Sequence, residues 1–147
     1  MFWDNKTVTL FNRFYDGTKE CWYPTLLSGV DLVVTKGINV SQGNKADADT
    51  AKLYVDDAVL QKRYLAPLVY ARQEHPEEYM TFTEGKDFFV EGDAANGILA
   101  RTIFRSSQDT DKANFFEYMR KQYDNIFKVA SVARYEDVLP HFEVGGK

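Results

Sequence analysis

The feature that most constrains this chain is its rhythm. Apolar residues return with period two over most of the sequence, and with the helical period of about 3.6 only once. From Lys6 to Phe14, Val8 and Leu10, with Asn12 and Phe14 in register, alternate with Thr7, Thr9, Phe11 and Arg13. That is the pattern of a strand buried on one face. Asp16-Gly17 is the strongest turn signal in the chain, and it sends the backbone into a second strand at Cys21–Leu27, paired with the first as a hairpin. Pro24 has no amide hydrogen to give to a ladder, so this strand is expected at an edge or bulged there. Ser28-Gly29 reads as a short turn into Val30–Thr35, which makes the opening third three antiparallel strands.

Residues 37–50 change character. Asn39, Ser41, Gln42, Asn44, Lys45, Asp47 and Asp49 crowd a stretch with almost no apolar anchor, which predicts a polar, flexible loop. A strand resumes at Thr50–Val55. Residues 57–78 form an irregular excursion, either a short helix ended by Pro67 or a surface segment anchored by Tyr64, Leu65 and Tyr70. Glu78–Thr83 and Asp87–Glu91 read as strands flanking the hairpin turn Glu84-Gly85-Lys86, and Gly92-Asp93 and Asn96-Gly97 bracket a further turn. The single helical rhythm runs from Asp111 to Asp124, where Ala113, Phe116, Met119 and Tyr123 share a face and Asp109 or Thr110 can cap the first turn. Ile126–Tyr135 then alternates, with Phe127, Val129, Ser131 and Ala133 on one side, and His141–Val144 is a last strand before Gly145-Gly146-Lys147. With no internal repeat, residues 1–147 read as one domain of mainly β (β+α) class. The expected fold is a small antiparallel β-barrel or sandwich with one packed amphipathic helix near residues 111–124.

Composition narrows the function classes. A net charge of −4 gives no general attraction to nucleic acid or to an anionic membrane. The opening Met1-Phe2-Trp3-Asp4-Asn5-Lys6 lacks the basic start and apolar run of a secretory leader. The longest near-apolar run, Leu65–Ala71, is broken by Pro67 and far short of the ~20 residues that cross a bilayer. The expectation is a soluble chain made in a cytoplasm, with no signal peptide and no membrane partner. One cysteine excludes an internal disulfide framework. The 22 aromatic residues (11 Phe, 9 Tyr, 2 Trp) are a heavy load. In Phe115-Phe116, Phe88-Phe89 and Trp22-Tyr23 one ring is expected in the core and the other exposed or at an interface.

No pattern of catalysis emerges. His75 and His141 stand in unrelated contexts without zinc-ligand spacing, and Cys21 beside Trp22 reads as a buried thiol. Asp47, Asp49, Asp56 and Asp57 lack the alternating oxygens, central glycine and closing glutamate of a calcium loop. Gly145-Gly146-Lys147 lacks the upstream glycine and following hydroxyl of a phosphate loop. The residues therefore give no catalytic site and no expectation of a metal or a cofactor.

Several segments, taken in order, carry a resemblance. They are Asp4-Asn5-Lys6-Thr7-Val8-Thr9-Leu10-Phe11-Asn12, the aromatic strand Trp22-Tyr23-Pro24-Thr25-Leu26-Leu27, Tyr64-Leu65-Ala66-Pro67, Tyr79-Met80-Thr81-Phe82, Gly85-Lys86-Asp87-Phe88-Phe89-Val90-Glu91-Gly92, Val129-Ala130-Ser131-Val132 and the closing Pro140-His141-Phe142-Glu143-Val144-Gly145-Gly146-Lys147. Together they resemble the small minor structural proteins of tailed bacteriophages and prophages, the head–tail joining group of minor capsid, head-closure and stopper-like proteins. Lys86 interrupts that group's usual Gly-Asp pair, and Phe142 stands where tryptophan is commoner.

The resemblance implies a non-enzymatic virion protein at the head–tail junction: a connector ring joining portal and tail, monomeric in isolation and a homo-oligomer in the particle. Portal, adaptor and tail proteins are the implied partners, with no sequence-specific nucleic acid. The alternatives are a tail terminator, a small β-barrel module that binds nucleic acid or a ligand, or an uncharacterised enzyme. On the connector reading the loop 37–50 orders on assembly, and Asn44, Lys45, Asp47 and Asp49 become partner contacts.

Overall fold

The computed structural model describes residues 5–17, 20–37, 49–94, 103–105 and 115–147. Six strands close into an antiparallel barrel. Strand β1 (Lys6–Tyr15) pairs with β2 (Glu20–Thr35), β2 with β3 (Thr50–Asp56), and β3 with β9 (His141–Gly146). From β9 the ladder passes to β8 (Ile126–Tyr135), then to β6 (Phe88–Glu91), and returns to β1. Outside this circuit lie β4 (Arg63–Tyr64), β5 (Tyr79–Met80) and β7 (Ile103–Arg105), with two short helices, α1 (Pro67–Tyr70) and α2 (Phe115–Arg120). Among the described residues no helix is long and apolar enough to cross a membrane.

The turn expected at Ser28-Gly29 is instead a bulge. Ser28 faces Thr7 and Val30 faces Lys6, so Gly29 is the extra residue, and its φ of +79° is one that an L side chain adopts only at a cost. The bulge bends one continuous 16-residue strand, so that its first half pairs with β1 and Asp31–Thr35 pair with β3. Pro24 sits opposite Phe11, past Trp22, the last residue with a described partner on β7. Its lack of an amide hydrogen is harmless on that stretch.

A second bulge lies between Val129 and Ser131. It shifts the parity of β8, so that beyond it Val132 packs on the core while Ser131 is exposed. The expected single face through Ser131 and Ala133 fails for that reason.

Three further expectations are corrected. Pro67 starts α1 at its first position, where a missing N–H costs nothing, instead of ending a helix. The segments around 78–83 and 87–91 do not form a hairpin, because β5 pairs in parallel with β4 while β6 joins the barrel between β1 and β8. The described helix is Phe115–Arg120, ending short of Asp124. Gln122 and Tyr123 turn back onto the Met119 carbonyl, and Asn125 must already be extended to exchange bonds with Glu91 at the head of β8. Its expected start and caps, residues 109–114, lie outside the described residues, as do Asn96-Gly97.

Two apolar clusters flank the wall made by β1, β6 and β8. Inside the barrel lie Val8, Leu10, Leu53, Val144 and the rings of Phe89 and Phe142, among others. On the outer side Phe11, Trp22 and Phe88 meet Phe115, Phe116 and Met119 of α2. Phe88 and Phe89 are both fully buried, one in each cluster, and Phe115 and Phe116 are both buried under α2. The expected exposed member of those two pairs does not exist, because α2 and the strand wall bury each other's rings, whereas in Trp22-Tyr23 one ring is buried and Tyr23 is half-buried.

Candidate functional site

Where the two clusters meet, a polar seam ties the Thr83–Asp87 turn to β1. The Asp87 carboxylate is fully buried and accepts hydrogen bonds from the Arg13 N–H (2.9 Å), the Thr83 N–H (2.8 Å) and Asn12 Nδ2 (2.8 Å). Asn12, equally buried, also donates to the Thr81 carbonyl at 2.6 Å. Burial pushes the Asp87 carboxyl up to about 7, against the pull of its donors. Nearby, the Tyr70 hydroxyl is buried without a hydrogen-bond partner among the described residues. Burial first, then the charge of Asp87, drives that phenol well above its ordinary range.

The seam places cations. Arg13 stands at its β1 end, and Lys86 stands on the turn it anchors, with Gly85 at φ +78° and its N–H bonded to the Val129 carbonyl at 2.7 Å. Arg13, Lys86 and Lys128 border a cleft of about 370 Å³ together with Glu20, Trp22 and Phe116. The carboxylate of Glu20 is shared between Arg13 Nε and Trp22 Nε1. Lys128 Nζ lies 4.7 Å from the centre of the Phe116 ring, a cation–π contact. Lys86 has no ion pair among the described residues. Three cations against one carboxylate, over a floor of aromatic rings, make a cleft of opposite sign to the whole molecule.

Phe116 and Lys128 also border a second groove, of about 630 Å³, along α2. Asp49 lies on its rim and accepts the Gly37 N–H at 2.8 Å and Lys36 Nζ at 3.2 Å. These two, the N–H first, hold its carboxyl below the usual range. Lys36 also reaches Asn125 Oδ1 at 2.9 Å, which ties the end of the 37–50 segment to the head of β8. Of the four expected partner contacts, Asp49 is thus placed beside α2, while Asn44, Lys45 and Asp47 lie outside the described residues.

At the other end of β8 the turn to β9 projects outward. Val138 is 90% exposed and has a φ of +45°, a left-handed conformation that a β-branched residue adopts only under strain. Leu139 is 73% exposed beside it. The base of the turn is firm. Tyr135 stacks on His141 at 4.9 Å, His141 bonds the Leu139 carbonyl at 2.7 Å, and Arg134 grips Asp57 with two bonds of 2.5 and 2.7 Å. Leu68 and Val69 on α1 are the other prominent exposed aliphatics on a helix or turn.

His75, His141 and Cys21 occupy three different settings. His75 is exposed 3.5 Å from Glu77, His141 is on β9, and Cys21 is buried in β2. His75 does gather with Glu77 and Glu78, but all three are exposed surface residues.

The sequence reading missed the cleft. Arg13 and Lys128 counted only as the polar side of their strands, and Lys86 only as an interruption. The available signal was Lys86 itself, a cation wedged between a turn glycine and an aspartate that the fold buries.

These features define a small closed barrel, braced on one wall by a helix, with a cationic cleft at one end of β8 and an apolar turn at the other. The chain belongs to a family of unknown function (DUF6751), whose model matches residues 2–147. No curated protein and no solved structure matches it.

Proposed function

We propose that the chain is a non-enzymatic structural protein of a tailed-phage or prophage virion, a head–tail connector that works as one member of a ring between portal and tail. The observation that carries this reading is where the exposed aliphatic side chains sit. Apart from Val33 on β2, the large exposed aliphatics among the described residues are held out from a closed barrel on short projections, Leu68 and Val69 on α1 and Val138 and Leu139 on the β8–β9 turn. Apolar groups presented in this way suit contact with another protein surface. A barrel closed on itself leaves few edges for unwanted pairing, so projections of this kind can direct association. The resemblance of the ordered short segments to head–tail joining proteins is consistent with this reading, and the portal, an adaptor and the tail are the partners it implies.

Deleting the gene from the phage or prophage that carries it tests the proposal. Separate heads and tails are expected, with heads that have lost their DNA. Filled heads beside tails of uncontrolled length would assign the chain to the tail terminator instead. Normal infectious particles, or purified virions that lack the chain by mass spectrometry, would overturn the virion reading altogether.

A further inference from the structure

We propose that the β8–β9 turn of one copy docks into the cleft of Arg13, Lys86 and Lys128 on the next, which makes this the head-to-tail contact of the assembly; the inference rests on the ring reading above.

The turn has the chemistry of a ligand. It runs Glu136-Asp137-Val138-Leu139-Pro140, two exposed carboxylates followed by two exposed aliphatic side chains. Neither carboxylate has a hydrogen bond or ion pair among the described residues. Glu136 lies in the field of Arg134, but that guanidinium is already occupied by Asp57. Val138 carries backbone strain that glycine or asparagine would relieve, and strain kept at an exposed position points to a contact made outside the chain.

The cleft has the matching chemistry. Lys86 and Lys128 offer ammonium groups to the two acids, while Trp22 and Phe116, nearly fully buried, only close the bottom of the cleft, so charge carries the match. A volume of about 370 Å³ falls at the small end of the range for ligand pockets, a size for side chains and not for a folded element.

Geometry makes the contact intermolecular. Lys128 borders the cleft and Tyr135 begins the turn, and the seven residue-to-residue steps along the strand from one to the other span about 23 Å at ~3.3 Å each. The turn cannot fold back along its own strand to reach its own cleft. A contact between different patches on two copies is heterologous, and repeated it generates a ring when the rotation closes.

The full chain tests this by cross-linking. A Lys86→Cys copy mixed with a Val138→Cys copy, both in a Cys21→Ser background and under mild oxidation, should give one disulfide-linked dimer band that neither copy gives alone. Charge reversal by Glu136→Lys with Asp137→Lys on the turn copy should cut that band at least tenfold. Adding Arg13→Glu with Lys128→Glu to the cleft copy should restore it, with circular dichroism confirming that each variant is folded. No dimer band either in solution or in virions carrying the cysteine pair, or a band indifferent to charge reversal, overturns the contact. So does inorganic phosphate that shields Lys86 from acylation when no dimer forms, which would assign the cleft to a free anion. The same cysteine pair introduced into virions separates the two readings. A band in solution from a chain absent from virions keeps the contact and removes the connector. A ring in virions without the band keeps the connector and removes the contact.

Discussion

The barrel interior and the cluster beneath α2 share a wall but are built from different residues. The interior is largely aliphatic, with Val8, Leu10, Leu27, Leu53, Val55 and Val144 arriving from strands on every side. The outer cluster is dominated by rings, with Phe11 stacked on Phe88 at 4.9 Å and Trp22 within 5.4 Å of both Phe88 and Phe115. The difference follows from geometry. A closed barrel admits only side chains that fit its tapering lumen and meet from opposite strands. A helix laid on a sheet leaves a wider, flatter gap that large planar groups fill, and their edge-to-face contacts add to the burial. The interior is therefore held by sheet closure, and the outer cluster by the return of one short helix.

The largest test of this contrast is a pair of truncations. Phe88→Ala should cost about 4 kcal/mol and Leu53→Ala about 3 kcal/mol, as large-to-small changes at fully buried sites do. The two should distribute that loss differently. In Phe88→Ala, amide exchange should quicken first in 115–120, with β3 and β9 still protected. In Leu53→Ala, protection should fall across the barrel strands together. Equal loss in both variants would show that the two clusters melt as one unit.

A second test reads the seam where the clusters meet, because Asp87 precedes one ring for each side. Its carboxyl stands at about 7 in the folded chain, against about 3.9 in an unfolded one. Between those values the folded state keeps a proton that the unfolded state has released. The stability due to this group therefore falls as pH rises from about 4 to about 7 and is level above that. Asp87→Asn removes the slope, although its amide nitrogen then faces an N–H that the carboxylate accepted. The difference in urea-unfolding free energy, wild type minus variant, should drop by about 2–4 kcal/mol between pH 4.5 and pH 7.5. Parallel pH profiles would mean that Asp87 ionises in the fold as it does in water.

The smallest effect concerns how tightly the interior is filled. A Cβ at Gly146 would lie 2.7 Å from Phe127 Cβ and 2.8 Å from Phe89 Cζ. Gly146→Ala should destabilise by about 1–3 kcal/mol through overpacking. The drop in melting temperature should shrink when Phe89→Leu is added, since that ring is the movable neighbour. An unchanged melting temperature in the single variant would show that the lumen has room to spare.

Much of this architecture is legible in the residues. Alternation in β1, β3 and β9 and the Asp16-Gly17 reversal mark strands of the barrel without help from the fold, because period two leaves a β-strand few other ways to bury its apolar side. The bulges were not legible as bulges. Gly29 looks the same whether it ends a strand or bends one, and Ala130 carries no mark of a parity change. Asp87 and Lys86 were readable as a turn, but not as a buried carboxylate and the cation it positions. The partners that give them those roles lie 74 residues away at Arg13 and at Trp22 across the wall.

The sequence by itself determined the class of this protein: mainly β, with one amphipathic helix and no pattern of a catalytic or metal centre. Local periodicity and turn chemistry are properties of neighbouring residues, so they survive without the fold. Tertiary structure alone decided that both rings of Phe88-Phe89 and of Phe115-Phe116 are buried, that three scattered cations converge on one cleft, and that Val138 and Leu139 are left in solvent. Those outcomes depend on which strands close the barrel and where α2 comes to rest, and contacts of that range leave no mark in any short stretch of residues.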